Sequence, residues 1–469
     1  MFTRLLEWIR KVLDKMFGTQ TVQKALDVEL AISASMVDAL QKWTALYLNQ
    51  ADWLVGDMKS LNLAASISGE IARAVTIEMK AEVAGSPRAD YLNEQVKTIL
   101  PNLRDMVEYG AAKGGLVFKP YVVNKKIEID FVQADMFYPV AFDANKNMTA
   151  AVFADQRQRG QYFYTRLEYQ GLEGTNYIIR NEAFRSSSAS ELGSSVPLNS
   201  LPEWAELQPA ATISDIKRPL FAYFRYPSTN SIDPTSPLGV SCFARAIDLI
   251  KQADQQWTDL LWEFESGQRA LYADVTAFVD ENGKKVLPAK RLYRALNGGS
   301  NLGDNPEGLF HDWSPTLRQA EILAGLDAIL RRIEFTCGLA YGTLSNPQTV
   351  DKTATELKIS NQRSYATITD TQKALQSALD SLLYAMDTWA TIYKLAPKGA
   401  YTAAWEFDDS IVVDKESQMV NDRQTVTMGA MPKYIYLMRN YGLDEPTARK
   451  WITENQAEQP QEQDLFQGS

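Results

Sequence analysis

The sequence predicts an α+β fold, and two kinds of stretch support this prediction. Between Pro347 and Pro397 there is no glycine or proline, and apolar residues recur every three or four positions, as on one face of an α-helix. The stretches Leu116–Phe142 and Ala150–Phe184 instead alternate β-branched or aromatic residues with polar ones, as in antiparallel strands. Long helices beside a separate antiparallel region are typical of the α+β class.

The composition is typical of a soluble globular protein. The chain has 469 residues, of which 45% are hydrophobic and 23% are charged, and this length allows about two to four domains. No apolar run is long enough to span a bilayer. The opening stretch Met1–Gly18 is amphipathic, but charged residues interrupt it throughout, so it lacks the apolar core of a signal peptide. We expect a helix packed on protein rather than on a membrane surface.

Histidine and cysteine are too scarce for several kinds of site. His311 is the single histidine, which excludes metal sites built on two histidines and catalytic triads. We expect it to be a polar residue in a surface loop. Cys242 and Cys337 both lie in helical patterns, and two cysteines fit a reducing compartment without a zinc framework.

The charge distribution is acidic overall but uneven. A formal net charge of −10 argues against tight binding to nucleic acid, because affinity for phosphates depends on lysine and arginine. One short stretch is basic, and it contains Lys284, Lys285, Lys290, Arg291 and Arg294. A solvated hairpin face, a surface for a protein partner and a phosphate contact are all consistent with this stretch.

Helical patterns begin the chain. Val22–Asn49, Ser60–Lys80 and Ala89–Ala112 have the periodicity of helices, and Pro101 should break or kink the last of them. The glycines of Gly110–Gly115 then suit a tight turn from a helix into a strand. The two β-rich stretches follow, with turns predicted at Asn124–Lys125, Gln158–Gln161 and Gly171–Thr175.

The next part of the chain alternates helices with short inserts. Phe221–Tyr226 is predicted to be a strand, and Ser241–Ser266 and Leu317–Ala340 are predicted to be helices. Between these helices, Ala273–Pro288 has the pattern of a hairpin, and its Asn282-Gly283 pair suits a tight turn.

A loop at Tyr341–Val350 leads into the long helix. Thr353 and Glu356 form a capping box, which places the start of that helix near Thr353. The remaining segments are strands at Ala403–Val413, helices at Asn421–Gly429 and Pro446–Glu458, and a disordered tail at Ala457–Ser469.

One acidic group is the best candidate for a metal site. Glu406, Asp408, Asp409 and Asp414 could place carboxylates on one face of a strand, as a Mg²⁺-dependent nuclease requires. A polar strand face that runs into a turn explains the same residues, and we favour it. No glycine-rich stretch continues into the Lys-Ser/Thr of a P-loop. We therefore predict that the chain is not an enzyme and uses no cofactor or metal.

Four stretches together resemble the portal, or connector, proteins of long-tailed double-stranded-DNA phages. They are a turn from a helix into strands, a loop ending in Pro-Leu-Gly that opens a helix, the head of the long helix, and an acidic strand followed by helices. In this sequence they are Gly110–Asp143, Asn230–Ala273, Asp351–Thr367 and Trp405–Glu458. Their order and spacing extend over most of the chain, and the set carries the resemblance.

The resemblance implies a portal fold with an α/β wing, a helical stem, a small β-containing clip, a long spoke helix and a helical crown. The parts would be N-terminal helices and a β-rich wing at 1–240, a stem helix at 241–272, a clip at 273–315, a second stem helix at 316–340, a tunnel loop at 341–352, a long helix at 353–396, wing strands at 397–417, a crown at 418–456 and a disordered tail at 457–469.

The resemblance also implies a function. A ring of about twelve copies would form a DNA channel at one capsid vertex of the virion, after assembly in the host cytoplasm and without a membrane. The terminase motor would package double-stranded DNA through the channel, and the DNA would later be ejected through it. Partners would be the terminase large subunit, head-completion or adaptor proteins, the scaffold and the major capsid protein.

The same resemblance implies two sets of site residues. The tunnel loop would bring to the DNA channel Tyr341, Ser345, Asn346, Gln348, Thr349 and Lys352. The clip would dock the motor through Lys284, Lys285, Lys290, Arg291 and Arg294. Two alternatives remain open, which are another minor capsid or head–tail adaptor protein, and a nuclease whose metal is held by carboxylates.

Overall fold

The computed structural model describes residues 17–77, 79–268, 270–274, 293–296, 310–313, 316–347, 354–407 and 415–458. The chain divides into two compact units, Met1–Glu406 and Phe407–Ser469. The first unit combines α-helices with mainly antiparallel sheets, which confirms the predicted α+β class. Within the described ranges, every helix is too short or too polar to cross a bilayer.

The N-terminal part of the first unit is helical. Its helices are α1 (Thr19–Leu26), α2 (Ala34–Tyr47), α3 (Leu63–Thr76), α4 (Pro87–Ile99) and α5 (Leu103–Lys113). A 3₁₀ turn at Leu100–Asn102 separates the last two helices. The predicted break at Pro101 is therefore confirmed.

Two predicted helices have different bounds in the structure. Val22–Asn49 is not one helix, because the chain leaves helical geometry at Asp27, whose φ is +51°, and regains it only at α2. The helix predicted over Ser60–Lys80 ends at Thr76, and a strand that was not predicted, β1 (Lys80–Ala84), follows it. Apolar residues continue beyond both helix ends, so hydrophobic periodicity does not mark them.

The glycines after α5 make the tight turn that the sequence predicts. Gly114 has a φ of +83°, which a residue with a side chain adopts only with strain. A Cβ on Gly114 would also lie 2.6 Å from the carbonyl oxygen of Gly239. Glycine is therefore required here, and the chain enters the next strand at Gly115.

The middle of the first unit is built from antiparallel strands. They are β2 (Gly115–Val123), β3 (Lys126–Gln133), β4 (Phe137–Phe142), β5 (Met148–Arg159), β6 (Tyr162–Glu173), β7 (Asn176–Ser186), β8 (Ser194–Val196), β9 (Ala210–Ile213) and β10 (Ala222–Arg225). One sheet has the order β10–β2–β3. A larger sheet has the order β4–β5–β6–β7–β8, and β9 also pairs with β7. The predicted β-rich region is confirmed.

The turns between these strands follow the predicted chemistry. Asn124 and Lys125 both have positive φ, +50° and +62°, as a two-residue type I′ hairpin turn requires. Gly160 and Gly174 have φ of +61° and +65° at the next two turns. Strand β6 continues through Gly171, so this turn is shorter than predicted.

The last part of the first unit contains two paired helices, a small sheet and the long helix. The elements are α6 (Ile247–Ser266), β11 (Ala270–Asp274), β12 (Tyr293–Leu296), β13 (Phe310–Trp313), α7 (Gln319–Cys337), α8 (Ala354–Ile392) and β14 (Thr402–Glu406). The long helix is confirmed. Its apolar stripe supplies buried core residues, among them Leu375, Leu379, Leu382 and Met386.

The predictions for His311, for the hairpin at Ala273–Pro288 and for the strands at Ala403–Val413 have different outcomes. His311 lies in β13, which pairs with β11, so its placement in a loop is wrong. Most of the hairpin predicted at Ala273–Pro288 lies outside the described residues. Trp405 of β14 pairs with Ala81 of β1, so the first half of Ala403–Val413 forms a sheet with a strand far away in sequence. The second half of that segment lies outside the described residues.

The second unit contains three helices in its described residues, α9 (Lys415–Thr427), α10 (Lys433–Tyr441) and α11 (Glu445–Glu458). The helices predicted near α9 and α11 are confirmed, whereas α10 was not predicted, because Pro432 and Gly442 bracket only 9 residues. The tail was predicted from Ala457, but α11 extends to Glu458.

A buried carboxylate organises this second unit. Asp422 is 6% exposed, and it accepts hydrogen bonds from Arg439 at 3.2 Å and from Asn440 at 3.0 Å. These contacts join α9 to α10. Several large apolar side chains of this unit are exposed, namely Val420, Met428, Tyr441 and Trp451.

Candidate functional site

Helices α6 and α7 form an antiparallel pair. Gln256 in the middle of α6 donates a hydrogen bond to the carbonyl oxygen of Ile322 in the first turn of α7, at 3.4 Å. At the end nearest the small sheet, the guanidinium of Arg318 donates to the carboxylate of Glu263 at 2.9 Å. These two contacts give the antiparallel direction of the helices, and the small sheet lies between α6 and α7 in the chain.

A buried carboxylate attaches this pair to the N-terminal part of the unit. Asp254 of α6 is 2% exposed and accepts hydrogen bonds from the indole N–H of Trp53 at 3.0 Å and the backbone N–H of Leu61 at 2.8 Å. One turn later, the hydroxyl of Thr258 accepts a hydrogen bond from the backbone N–H of Lys59 at 3.0 Å. These bonds fix the rotation of α6 about its axis.

The first part of the loop after α7 is held by the carboxylate of Glu334. Helix α7 ends at Gly338, whose φ is +73°, and the chain then folds back over Glu334, which is fully buried. Glu334 Oε1 accepts backbone N–H bonds from Gly342 at 3.1 Å, Leu344 at 2.6 Å and Ser345 at 2.8 Å. Oε2 accepts the hydroxyl of Ser345 at 2.8 Å. We call Glu334 the loop anchor.

A second carboxylate on α7 fixes the far side of the loop. Asp327 accepts a hydrogen bond from the backbone N–H of Asn346 at 2.8 Å and forms an ion pair with Arg331 at 2.5 Å. Asp327 and Glu334 lie seven residues apart on α7, which is about two helical turns. The loop is therefore attached to the side of α7 at two points before the chain reaches α8.

The opposite end of α8 is held by a buried arginine. Arg88 is 1% exposed, and its guanidinium donates to the carbonyl oxygens of Pro397 at 3.0 Å, Asp387 at 3.1 Å and Ala396 at 2.8 Å. These carbonyls belong to the last two turns of α8 and the segment after it. With 39 residues, α8 is about 58 Å long, and it is fixed to the body of the unit at this end.

The structure places three of the residues predicted for the tunnel loop close together. Tyr341 is half-buried, Ser345 is 5% exposed and bonded to the loop anchor, and Asn346 is exposed. The remaining residues of that set lie outside the described part of the chain, namely Gln348, Thr349 and Lys352. Of the three described residues, Asn346 is thus the most accessible to solvent.

The basic residues predicted for motor docking are only partly covered by the structure. Arg294 belongs to β12, in the small sheet between α6 and α7, and its side chain is outside the described atoms. The other members also lie outside the described residues, namely Lys284, Lys285, Lys290 and Arg291. Their role stays a prediction.

The candidate residues for metal or thiol chemistry do not form a site in the described structure. Glu406 is exposed at the end of β14, and Asp408, Asp409 and Asp414 lie outside the described residues. Among the residues that are described, no cluster of histidine, cysteine, aspartate or glutamate is arranged to hold a metal ion.

Both cysteines are buried and free. Cys337 is the last residue of α7, whereas Cys242 precedes the 3₁₀ turn Ala244–Ala246 rather than lying in a helix as predicted. Burial raises the pKa of the Cys242 thiol to about 12, so this thiol stays neutral at physiological pH. A neutral, buried thiol is a poor nucleophile.

Helices α6 and α7 also expose large apolar side chains. The indole of Trp262 is 65% exposed, and the ring of Phe335, 39% exposed, lies 3.7 Å from the guanidinium of Arg363. The other exposed members are Leu261, Phe264 and Leu323. Large apolar side chains that are exposed in the single chain are stabilised when another protein chain covers them.

The loop anchor is the feature that sequence reasoning missed. Its signal in the sequence is an acidic residue within an apolar stripe, because Leu326 and Leu330 lie eight and four positions before Glu334. An ionised residue on a buried helix face needs hydrogen-bond partners. The sequence did not show that the following loop provides them.

Comparison with known proteins identifies the family. The family model described as "Phage portal protein, SPP1 Gp6-like" matches residues 97–464. The chain is also similar to a solved structure described as "Neck of native GTA particle computed with C12 symmetry", with 10% sequence identity, a TM-score of 0.41, and coverage of 90% of this chain and 99% of that one. No curated protein matches the chain. The chain belongs to the SPP1 Gp6-like family of phage portal proteins.

Proposed function

We propose that this portal protein forms a ring of about twelve copies at one vertex of the phage capsid. In this proposal the terminase motor packages double-stranded DNA through the ring, and the DNA is later ejected through it. The terminase large subunit and then head-completion or adaptor proteins attach to the ring. During assembly the ring also contacts the scaffold and the major capsid protein.

One observation carries this proposal. The antiparallel pair α6–α7 has the small sheet β11–β12–β13 at one end and the anchored loop at the other end, where the chain passes into α8. This order supports a stem at 241–272 and 316–340, a clip at 273–315 and a tunnel loop at 341–352. By the same order, 353–396 is the spoke helix, 397–417 completes the wing of 1–240, and 418–456 is the crown.

The exposed apolar residues support a ring. Trp262 of α6 and Phe335 of α7 expose large rings to solvent in the single chain, and burial of such area against a neighbouring copy is favourable. Contacts between different surfaces of identical chains close into a ring when the rotation allows it.

The charge of the chain supports passage of DNA rather than capture. A net charge of −10 gives the chain little capacity to neutralise phosphates, so DNA held inside the ring would remain free to move. An alternative function as a carboxylate-metal nuclease predicts that Mg²⁺-dependent cleavage is lost when Asp408 is replaced by asparagine. The portal function predicts no such activity.

The test is a packaging reaction with a variant of the loop. Ser345 is kept because it bonds to the loop anchor, and the loop is shortened by deleting Asn346–Thr349. We expect rings of normal size and about a tenfold loss of nuclease-protected DNA, because the loop no longer reaches the DNA path. A control variant replaces the same residues with glycine and serine, which keeps the loop length. Normal packaging by the shortened variant would contradict the tunnel-loop assignment.

A further inference from the structure

Helix α6 exposes a stripe of side chains along one side. Its members recur every three or four positions, as residues on one face of a helix do, and they are Asp248, Gln252, Gln255, Asp259 and Trp262. Another side of α6 is buried against its own chain, through Ile250, Ala253 and Leu260. The stripe is therefore a surface of α6 that stays available to another molecule.

Helix α7 exposes a second stripe with the same spacing. Its members are Glu321, Ala324, Ala328, Arg332 and Phe335. Each stripe carries one large aromatic ring that is exposed in the single chain, Trp262 on α6 and Phe335 on α7. A helix face that meets only solvent is expected to be polar throughout, and neither stripe has that character.

The antiparallel direction of the helices sets which members of the two stripes lie at the same level. Gln256 of α6 contacts Ile322 of α7. Asp248 lies eight residues before Gln256 and Arg332 ten residues after Ile322, so both lie about 12 to 15 Å from this contact, on the side away from the small sheet. In a ring whose axis runs along the helix pair, rotation to the next copy keeps each residue at its level. Asp248 of one copy and Arg332 of the next copy then lie at nearly the same level.

The charges at this level are complementary. Asp248 is anionic and Arg332 is cationic, and within the described ranges neither of them forms an ion pair. The guanidinium of Arg332 lies 5.0 Å from the ring of Phe335. Stacking on a ring occupies the face of a guanidinium and leaves its N–H edges available to a carboxylate.

Side-chain size is complementary as well. Gln252 and Gln255 lie about 6 Å and 1.5 Å from the level of Gln256, and Ala328 and Ala324 lie about 9 Å and 3 Å from the level of Ile322, in the same direction. Each of these two glutamines of one copy thus lies close to the level of an alanine of the next copy. Long side chains opposite small ones allow two helices to approach and interdigitate.

One pair of like charges lies nearer the small sheet. Asp259 and Glu321 share a level there, and Arg318, whose side chain is 76% exposed, lies within one turn of Glu321 and supplies a cation. We therefore expect the attraction between the two stripes to be strongest at Asp248 and Arg332.

We propose that α6 of one copy packs against α7 of the next copy, with Asp248 paired to Arg332 and the two glutamines over the two alanines. This inference rests on the proposed ring and names the surfaces that close it. Because the two stripes are different surfaces of the same chain, the contact is head-to-tail, and contacts of this kind close into rings.

The test is a charge swap in the full chain, produced together with its scaffold and followed by native mass and negative-stain microscopy. Asp248→Arg and Arg332→Asp should each raise the protein concentration for half-maximal ring formation about tenfold, because like charges then meet. The double variant Asp248→Arg, Arg332→Asp should return this concentration to within about threefold of the natural value. Glu128→Arg, on the exposed face of β3, controls for the change in net charge.

A further variant tests the fit of side-chain size. Ala328→Leu adds volume at an exposed position, so the single chain should unfold at the natural temperature, whereas ring formation should require about tenfold more protein. Ala34→Leu, exposed at the start of α2, is the matched control and should assemble normally.

The outcomes separate this contact from the ring itself. A natural chain that forms no rings would contradict the proposed ring and this contact with it. If the natural chain forms rings, normal assembly of the single charge variants would overturn the contact alone, and so would a double variant that folds but stays disassembled. Thermal unfolding of each variant distinguishes loss of assembly from loss of fold.

Discussion

Glu334 Oε2 accepts a hydrogen bond from the hydroxyl of Ser345 at 2.8 Å, and neither side chain has appreciable contact with solvent. The other carboxylate oxygen accepts backbone N–H groups of the same loop. Hydrogen bonds to an ionised group are stronger than those between neutral groups. A buried carboxylate with this many donors therefore holds the loop in one conformation, and the loop delivers the chain into α8.

Replacement of the loop anchor should release the loop. We expect Glu334→Ala to lower the free energy of unfolding by about 3 kcal/mol, because the loop donors lose their acceptor. Glu334→Gln should cost only about 1 kcal/mol, since its amide oxygen still accepts the backbone N–H groups. Denaturant unfolding measures both values, and hydrogen exchange at Leu344 and Ser345 reports the loop. Glu321→Ala is the control, because Glu321 is exposed on the same helix. Equal hydrogen-exchange rates at Leu344 and Ser345 in all variants would show that Glu334 does not hold the loop.

A buried ion pair between two sheets should make stability depend on acidic pH. Lys119 of β2 contacts Glu168 of β6 at 2.8 Å, and Arg166 contacts it at 3.1 Å. Burial raises the pKa of Glu168, but Lys119 and Arg166 outweigh burial and lower the pKa to about 2. A lowered pKa stabilises the fold above the unfolded pKa of 4.5, and this stabilisation is lost as pH falls through the folded pKa.

Glu168→Gln should therefore flatten the decline in unfolding free energy between about pH 5 and pH 2. At neutral pH the variant should be less stable by about 3 kcal/mol, because buried Lys119 loses its closest carboxylate and keeps only the longer contact with Asp130 at 3.6 Å. Urea unfolding across this pH range measures both effects. Glu128→Gln, on the exposed face of β3, should leave the profile unchanged. A Glu168→Gln profile parallel to that of the natural chain would show that Glu168 does not cause the decline.

Lysine should not be able to replace Arg88, the residue of α4 that bonds to the C-terminal end of α8. Arg88 donates to three carbonyl groups at once, and an ammonium lacks the planar geometry that reaches all of them. We expect Arg88→Lys to lower the free energy of unfolding by about 2 kcal/mol and to speed hydrogen exchange in the last turn of α8. Arg73→Lys, with a side chain 46% exposed, is the control. Equal free energies of unfolding for Arg88→Lys and Arg73→Lys would show that a lysine can satisfy the three carbonyl groups.

The basic stretch before β12 should matter for motor docking and not for assembly. Reversal of charge at Lys284, Lys285 and Arg291 should leave rings intact and weaken binding of the terminase large subunit about tenfold, because rim charges steer association. Surface plasmon resonance against the motor protein measures the affinity. Reversal at Lys125 and Lys126 controls for total charge. If the rings of the first variant dissolve, the stretch belongs to a contact between subunits instead.

The sequence was most informative where local chemistry decides the structure. The long helix follows from an apolar stripe without a proline or glycine, and it is found at Ala354–Ile392. The turn at Gly114 and the hairpin at Asn124–Lys125 follow from residues that tolerate positive φ. In each case the signal lies within a few residues of the structure that it predicts.

The sequence was least informative where distant segments meet. The pairing of β1 with β14 joins Lys80 to Glu406, far apart in sequence, and no local pattern links the two strands. The donors around Glu334 are mostly backbone N–H groups, which every residue except proline carries, so no residue type marks them. Lys146, Lys217 and Arg225 come from separate segments, and only the fold shows that they line one cavity.

The most direct test of the central claim is a symmetric electron cryomicroscopy reconstruction of the purified chain, produced together with its scaffold. We predict rings of about twelve copies with a central channel, α6 and α7 facing that channel, and the loop after Glu334 at its narrowest point. A chain that stays monomeric beside its scaffold, or a ring whose channel is lined by the β4–β8 sheet instead, would contradict the account.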